Sequence, residues 1–224
     1  MSKQFLGVLI AIILAFVGIF VVTSSNSDSK SGSSKASGAS VSQNVIGAGT
    51  TGVTLVEYGD YQCPYCQQYY PTVKQVQAEF GDKIKFQFSN FPLSNIHKNA
   101  FAASRAAQAA ALQGKFWEMH DALYESNDPN GQSGWVAAND PNTFFDQFAK
   151  QIGLNVAKYK TDFASSAVND TINADIAAGT KLNVTGTPAF FINGKKTEIA
   201  NSVDAFNKVI NEAIAKQAAS AKQN

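Results

Sequence analysis

The chain has 224 residues, 45% hydrophobic and 11% aromatic, which suffices for one ordinary domain with a packed core plus extensions. A formal net charge of +1 leaves no basic field for nucleic acid and no acidic tail, so specificity must come from a local site.

The first element is apolar. Phe5 to Val22 is a run of eighteen residues without a charge, preceded by Lys3. At a helical rise of 1.5 Å per residue it spans roughly 27 Å, close to the ~30 Å hydrocarbon core of a bilayer. No good small-x-small site follows it, and no cysteine for lipid attachment, so an uncleaved anchor over residues 1–23 is expected. A removed signal peptide is the alternative. Lys3 and the N-terminal amine precede the span, while Asp28 offsets part of Lys30 and Lys35 after it, which places the body outside the cytoplasm. Thr23 to Asn44 contains ten serines in 22 residues and almost nothing apolar, so residues 24–44 are expected to form a disordered linker reaching about 25 Å.

Val53 to Tyr58 (VTLVEY) lies between Gly52 and Gly59 and reads as a strand buried on both faces. Beyond Cys63-Pro64-Tyr65-Cys66 the apolar positions Val73, Val76 and Phe80 recur at helical spacing, and Ile84 to Phe88 alternates as a strand. This strand–helix–strand unit calls for a right-handed crossover and a parallel pair. Helices are expected over His97 to Gln113, Lys115 to Glu125, Asn142 to Gly153 and Val156 to Gly179. Ala189 to Ile192 reads as a strand, Asn193-Gly194 as a hairpin turn, and Thr197 to Ala200 as the return strand. A last helix starts at Ser202 or Asp204.

The chemistry rests on the two cysteines, which form one CxxC. A structural staple over so short a loop would contribute about 2 kcal/mol, against ~4.7 kcal/mol for a 100-residue loop, so a fold needing a staple would space them apart. A zinc site lacks ligands: His97 and His120 are distant in sequence and there is no second CxxC. Redox exchange is the use favoured over a staple or a metal site. Cys63 falls where a strand ends and a helix begins, and free N–H groups there stabilise a thiolate. Pro64 suits the first helical turn, where its missing N–H has no partner anyway. Cys63 is therefore expected to be the exposed attacking thiol and Cys66 the buried resolving one. Glu57 is either a solvent-facing strand residue or, in so apolar a run, a buried carboxyl that exchanges a proton with Cys66. Lys85 on the next strand is its candidate ion partner. The X-Pro bond at Thr187-Pro188 is trans on general frequency alone.

Taken together, Glu57, the CPYC motif, Pro71 and Gly186-Thr187-Pro188-Ala189-Phe190-Phe191-Ile192-Asn193-Gly194 resemble a thioredoxin-fold protein. The helical block between them, with Lys115-Phe116-Trp117-Glu118 and His120-Asp121-Ala122-Leu123-Tyr124, is similar to the disulfide-bond-forming protein A (DsbA) family, in its membrane-anchored surface branch. The likeness covers about residues 45–217. It implies an α/β thioredoxin-like domain from residues 45–93 and 182–219, interrupted by a helical insertion over 94–181. It further implies that Pro188 is a cis-proline facing the disulfide, that the Thr187 backbone pairs with substrate beside Pro64 and Tyr65, that Pro71 kinks the helix, and that Glu57 lies beneath Cys66.

The resemblance implies disulfide formation in reduced or unfolded exported proteins, with reoxidation by a quinone-linked membrane thiol oxidase and with no metal or other cofactor. One departure stands out: the strongly oxidising relative has a histidine where this chain has Tyr65, so no cation adjoins Cys66 in the motif. A membrane-tethered reductase or isomerase, and a non-redox binding or chaperone module, are the competing readings.

Overall fold

The computed structural model describes residues 40–222; the expected anchor and most of the linker lie outside them. Among the described residues no helix is long and apolar enough to cross a membrane.

Five strands form one sheet in the order β1-β3-β2-β4-β5, with β1 at Val45–Ile46, β2 at Val53–Gly59, β3 at Ile84–Asn90, β4 at Ala189–Ile192 and β5 at Lys195–Lys196. Strands β2 and β3 are parallel, as the crossover through helix α1 (Pro64–Phe80) requires, and the other pairs are antiparallel. Helix α8 (Val203–Ala221) packs beside α1 on one face, where Val53, Leu55, Val76, Phe190, Phe206 and Ile210 form a core. That is the thioredoxin-like arrangement expected.

The inserted helices are α2 (Ala100–Ala111), α3 (Phe116–Glu125), the short α4 (Gly134–Ala137), α5 (Asn142–Gln151), α6 (Val156–Phe163) and α7 (Ser166–Lys181). Helix α2 is central, and its buried Ala103, Ala106, Ala107 and Ala110 let the neighbouring helices approach closely. Two expected helix boundaries shift. Helix α2 begins three residues after His97, because that ring is drawn onto Asp60 and the Asn99 amide bonds the carbonyls of Trp135 and Ala138. The stretch from Val156 divides at Ser165, whose hydroxyl accepts from the Val168 N–H and caps α7.

The return strand forms at Lys195–Lys196 rather than at Thr197 to Ala200. Asn193 and Gly194 both have positive φ, 48° and 78°, and such a two-residue turn makes pairing resume at once, with Lys195 opposite Ile192. The folded body also starts earlier than residue 45. The Ser42 N–H donates to the buried Asp175 carboxylate at 2.7 Å, and the Phe88 N–H donates to the Asn44 carbonyl at 3.0 Å. Residues 40–44 therefore lie against the sheet and not in the linker, because their backbone groups find partners there.

Gly59 closes β2 beneath the CxxC turn. A Cβ there would lie 2.4 Å and 2.6 Å from the Phe88 ring and 3.3 Å from the Tyr124 hydroxyl. Gly59→Ala is expected to destabilise the protein by about 1–3 kcal/mol through overpacking. The check is a urea midpoint that falls at constant slope; an unchanged midpoint would show that the ring moves aside freely.

Candidate active site

Strand β2 delivers the chain to Asp60, whose side chain is fully buried. Its carbonyl accepts the Cys63 N–H at 3.1 Å, and its carboxylate accepts the N–H of Gln62 at 2.7 Å and of Leu93 at 2.8 Å. The carboxylate also lies 2.7 Å from His97 Nδ1. This turn sets Cys63 at the N-cap of α1, in extended conformation, with Pro64 as the first helical residue. The insertion secures the turn from outside: the Asn127 amide donates to the Tyr61 carbonyl at 2.6 Å and Gln67 donates to the Asn127 carbonyl at 2.8 Å.

Cys63 and Cys66 are free thiols. Contrary to the expectation of an exposed Cys63, both are buried, with 3% and 1% of their surface exposed. The cover over Cys63 comes from the Thr187-Pro188 loop, whose Thr187 carbonyl lies 3.4 Å from Cys63 Sγ; the Thr187-Pro188 bond is cis. Chemically the two sulfurs differ sharply. The hydrogen bond from the Cys66 thiol lowers the Cys63 pKa to about 6 against the opposing effect of burial, helped by the N–H groups of Cys66 and Tyr65. Burial pushes the Cys66 thiol well above its ordinary range, and its bond to Cys63 and the charges of Cys63 and Glu57 add to that.

Glu57 stands opposite Phe88 on β3 and Phe190 on β4 and is 3% exposed, which decides for the buried carboxyl. Burial first, and the Cys63 charge second, raise its pKa to about 8. Lys85 is not its partner: it is exposed and lies opposite Thr54 in the register. Tyr124 and Tyr61 line the same interior. Burial holds both phenols in the protonated form, and the Glu57 charge adds to the effect. At neutral pH the site thus presents one thiolate, one thiol and one carboxylic acid, and the acid can hand a proton to Cys66 when that sulfur leaves a disulfide.

Around this centre Tyr65 is 64% exposed. A groove of about 300 Å³ runs from Tyr65 and Tyr69 along Thr187 and Pro188 to Ile199. Pro71 lies inside α1, as expected. Sequence reasoning missed Asp60, Gln62 and Asn127. An Asp three residues before the first cysteine, bonding the N–H two residues on, is an Asx-turn, and that signal was available. The partners Leu93 and His97 carried no comparable signal. His120 is buried in an aromatic cage with its Nδ1 on Asp121, and burial lowers its pKa. Among the described residues no cluster of three or more His, Cys, Asp or Glu could hold a metal.

The family model described as thioredoxin matches residues 39–212. Curated relatives include the Na(+)/H(+) antiporter NhaA 1 of Mycolicibacterium gilvum, 34% identical over 64% of this chain and 22% of the antiporter. The Na(+)/H(+) antiporter NhaA 3 of Salinispora tropica is 31% identical over 73% of this chain and 23% of its own length. The chain therefore spans under a quarter of the curated relatives it matches. Among solved structures, oxidised BdbD from Bacillus subtilis superposes with a TM-score of 0.65 at 24% identity, covering 77% of this chain and 93% of that one. The catalytic domain of ScsC from Proteus mirabilis gives 0.61 at 22% identity, over 81% and 92% of the two chains.

Proposed function

The chain belongs to the thioredoxin family, and on that footing we propose that it is a thiol–disulfide oxidoreductase that introduces disulfides into exported proteins through Cys63 and Cys66. The observation that carries this reading is the asymmetry of the pair over a buried acid: a Cys63 thiolate near pKa 6, a Cys66 thiol held up by burial, and Glu57 beside them at about 8. A stabilised thiolate stabilises the reduced form, which makes the disulfide form an oxidant.

In the proposed cycle a substrate thiolate attacks Cys63 in the Cys63–Cys66 disulfide. That bond breaks, and Cys66 leaves with the electron pair and takes a proton from Glu57. A second substrate thiolate then attacks the substrate sulfur of the mixed disulfide. Cys63 leaves as a thiolate, the substrate is oxidised by two electrons, and the protein is reduced by the same two. Reoxidation falls to a membrane thiol oxidase linked to quinone. The groove beside Tyr65, Thr187 and Pro188 offers mixed polar and apolar contacts to an extended chain, which suits loose binding of many unfolded substrates. The N-terminal run from Phe5 to Val22 would tether the domain on the outer side of the membrane. Ion transport, named for the antiporter relatives, is not carried over from a match to 22% of such a chain.

Tyr65 is the observation that favours the second reading, a reductase or isomerase, since an uncharged residue between the cysteines supports a milder oxidant. The reduction potential of the full-length protein in glutathione buffers separates the two. A value above about −180 mV is expected for a disulfide donor, and one near about −270 mV would overturn it in favour of a reductase.

A further inference from the structure

Asp60 places a fully buried carboxylate at the base of the CxxC turn. Among the described residues the cationic group paired with it is His97, whose Nδ1 lies 2.7 Å from Asp60 Oδ2 and whose side chain keeps 16% exposure. The N–H groups of Gln62 and Leu93 occupy the rest of that carboxylate. The backbone of the same Asp60 accepts the Cys63 N–H at 3.1 Å, so the imidazole and the sulfur-bearing residue are both anchored to one residue. We propose that His97, seated on Asp60, is a positioning residue that neutralises, from the loop before α2, the buried carboxylate at the base of the CxxC turn and so favours the Cys63 thiolate. This rests on the reading of Cys63 as the attacking thiol.

A bare buried carboxylate on the residue that anchors the Cys63 N–H would oppose a negative charge in that turn; an imidazolium on the carboxylate makes the pair neutral and removes the opposition. The coupling also runs in both directions. The hydrogen bond to Asp60 raises the His97 pKa against the effect of burial, and the charges of Asp60 and of Cys63 raise it further. By reciprocity a thiolate that favours the imidazolium is itself favoured by it. Asp60 and Cys63 are the titratable groups that act on the ring, while the ammonium of neighbouring Lys98 is bound to the Ala137 carbonyl at 3.0 Å. The imidazolium is present below its own pKa and lost above it. The support given to the thiolate, and with it the oxidising strength, therefore declines as pH rises through the His97 titration.

The test uses the reduced full-length protein, with the ultraviolet absorbance of the thiolate followed against pH. His97→Gln keeps an N–H donor toward Asp60 and removes the charge. It is expected to raise the Cys63 midpoint by about one unit, a tenfold loss of thiolate on the rising limb. The equilibrium constant with glutathione should fall by a similar factor, about 30 mV for this two-electron couple. A purely structural His97 would lower stability and leave the midpoint in place, and that result overturns the inference. If the variant fails to fold, the His97 ring titration in the unaltered protein decides: it is expected at lower pH in the disulfide form than in the dithiol form, and equal titrations overturn the inference. A wild-type Cys63 that titrates as an ordinary thiol would sink the oxidoreductase reading itself, and His97 with it.

Discussion

Cys63→Ser is expected to abolish thiol–disulfide exchange, lowering the rate by at least about three orders of magnitude, the scale on which removal of a nucleophile acts. A serine hydroxyl is not ionised near neutral pH and cannot form the mixed disulfide, whereas the Cys63 sulfur ionises at about 6. Cys66→Ser should behave differently. Cys63 can still attack, but nothing nearby resolves the product, so mixed disulfides with substrate accumulate and are visible as adducts on non-reducing gels. Oxidation of a dithiol peptide measures the first variant and adduct formation the second. Alkylation of the reduced wild type should rise through pH 6 and level off, with roughly a tenfold lower rate one unit below the midpoint. Retained exchange in the Cys63 variant, or trapping by it instead of by the Cys66 variant, would overturn the assignment of roles.

Glu57→Gln is expected to remove a pH dependence from stability and to slow the step in which Cys66 changes its protonation. Glu57 has a pKa of about 8 in the folded protein, against 4.5 ordinarily, so between those values the folded state binds more protons than the unfolded one. Stability contributed by this residue is therefore complete below the lower value and is lost as pH rises through the higher one. At about 1.4 kcal/mol per unit, the loss reaches roughly 3 kcal/mol by neutral pH. Denaturant titrations of the reduced protein across this window should show a slope more negative in the wild type than in the variant by about 1.4 kcal/mol per pH unit, since the opposing contribution of the Cys63 thiolate above pH 6 is common to both. A buried amide brings its own cost of about 1–3 kcal/mol where its partners are unmet, so the slope is the decisive quantity and not the absolute stability. Without the acid, the step in which Cys66 leaves the Cys63–Cys66 disulfide should slow by about a hundredfold at neutral pH. Parallel slopes in the two proteins would show that Glu57 does not titrate in this way.

What could be read along the chain was local. The CPYC spacing, the alternation in VTLVEY, the helical recurrence of Val73, Val76 and Phe80, and the Asn193-Gly194 turn each depend on neighbours within one element, and the structure has these elements in the expected order. The helical insertion was legible for the same reason, from its length and alanine-rich periodicity. Boundaries moved where a side chain had a distant engagement: α2 starts after the residue that Asp60 holds, and the body starts at a serine whose N–H is held by Asp175.

The amino-acid sequence by itself therefore determined the cysteine pair, its place at a helix start and the strand–helix–strand frame, because these follow from backbone geometry over a few residues. The tertiary structure alone decided that Cys63 lies buried under the Thr187 carbonyl from 124 positions away, that Glu57 stands between Phe88 and Phe190, and that His97 meets Asp60 across 37 positions. Burial and electrostatics act through space, and the distances they depend on exist only once the insertion has folded back over the sheet.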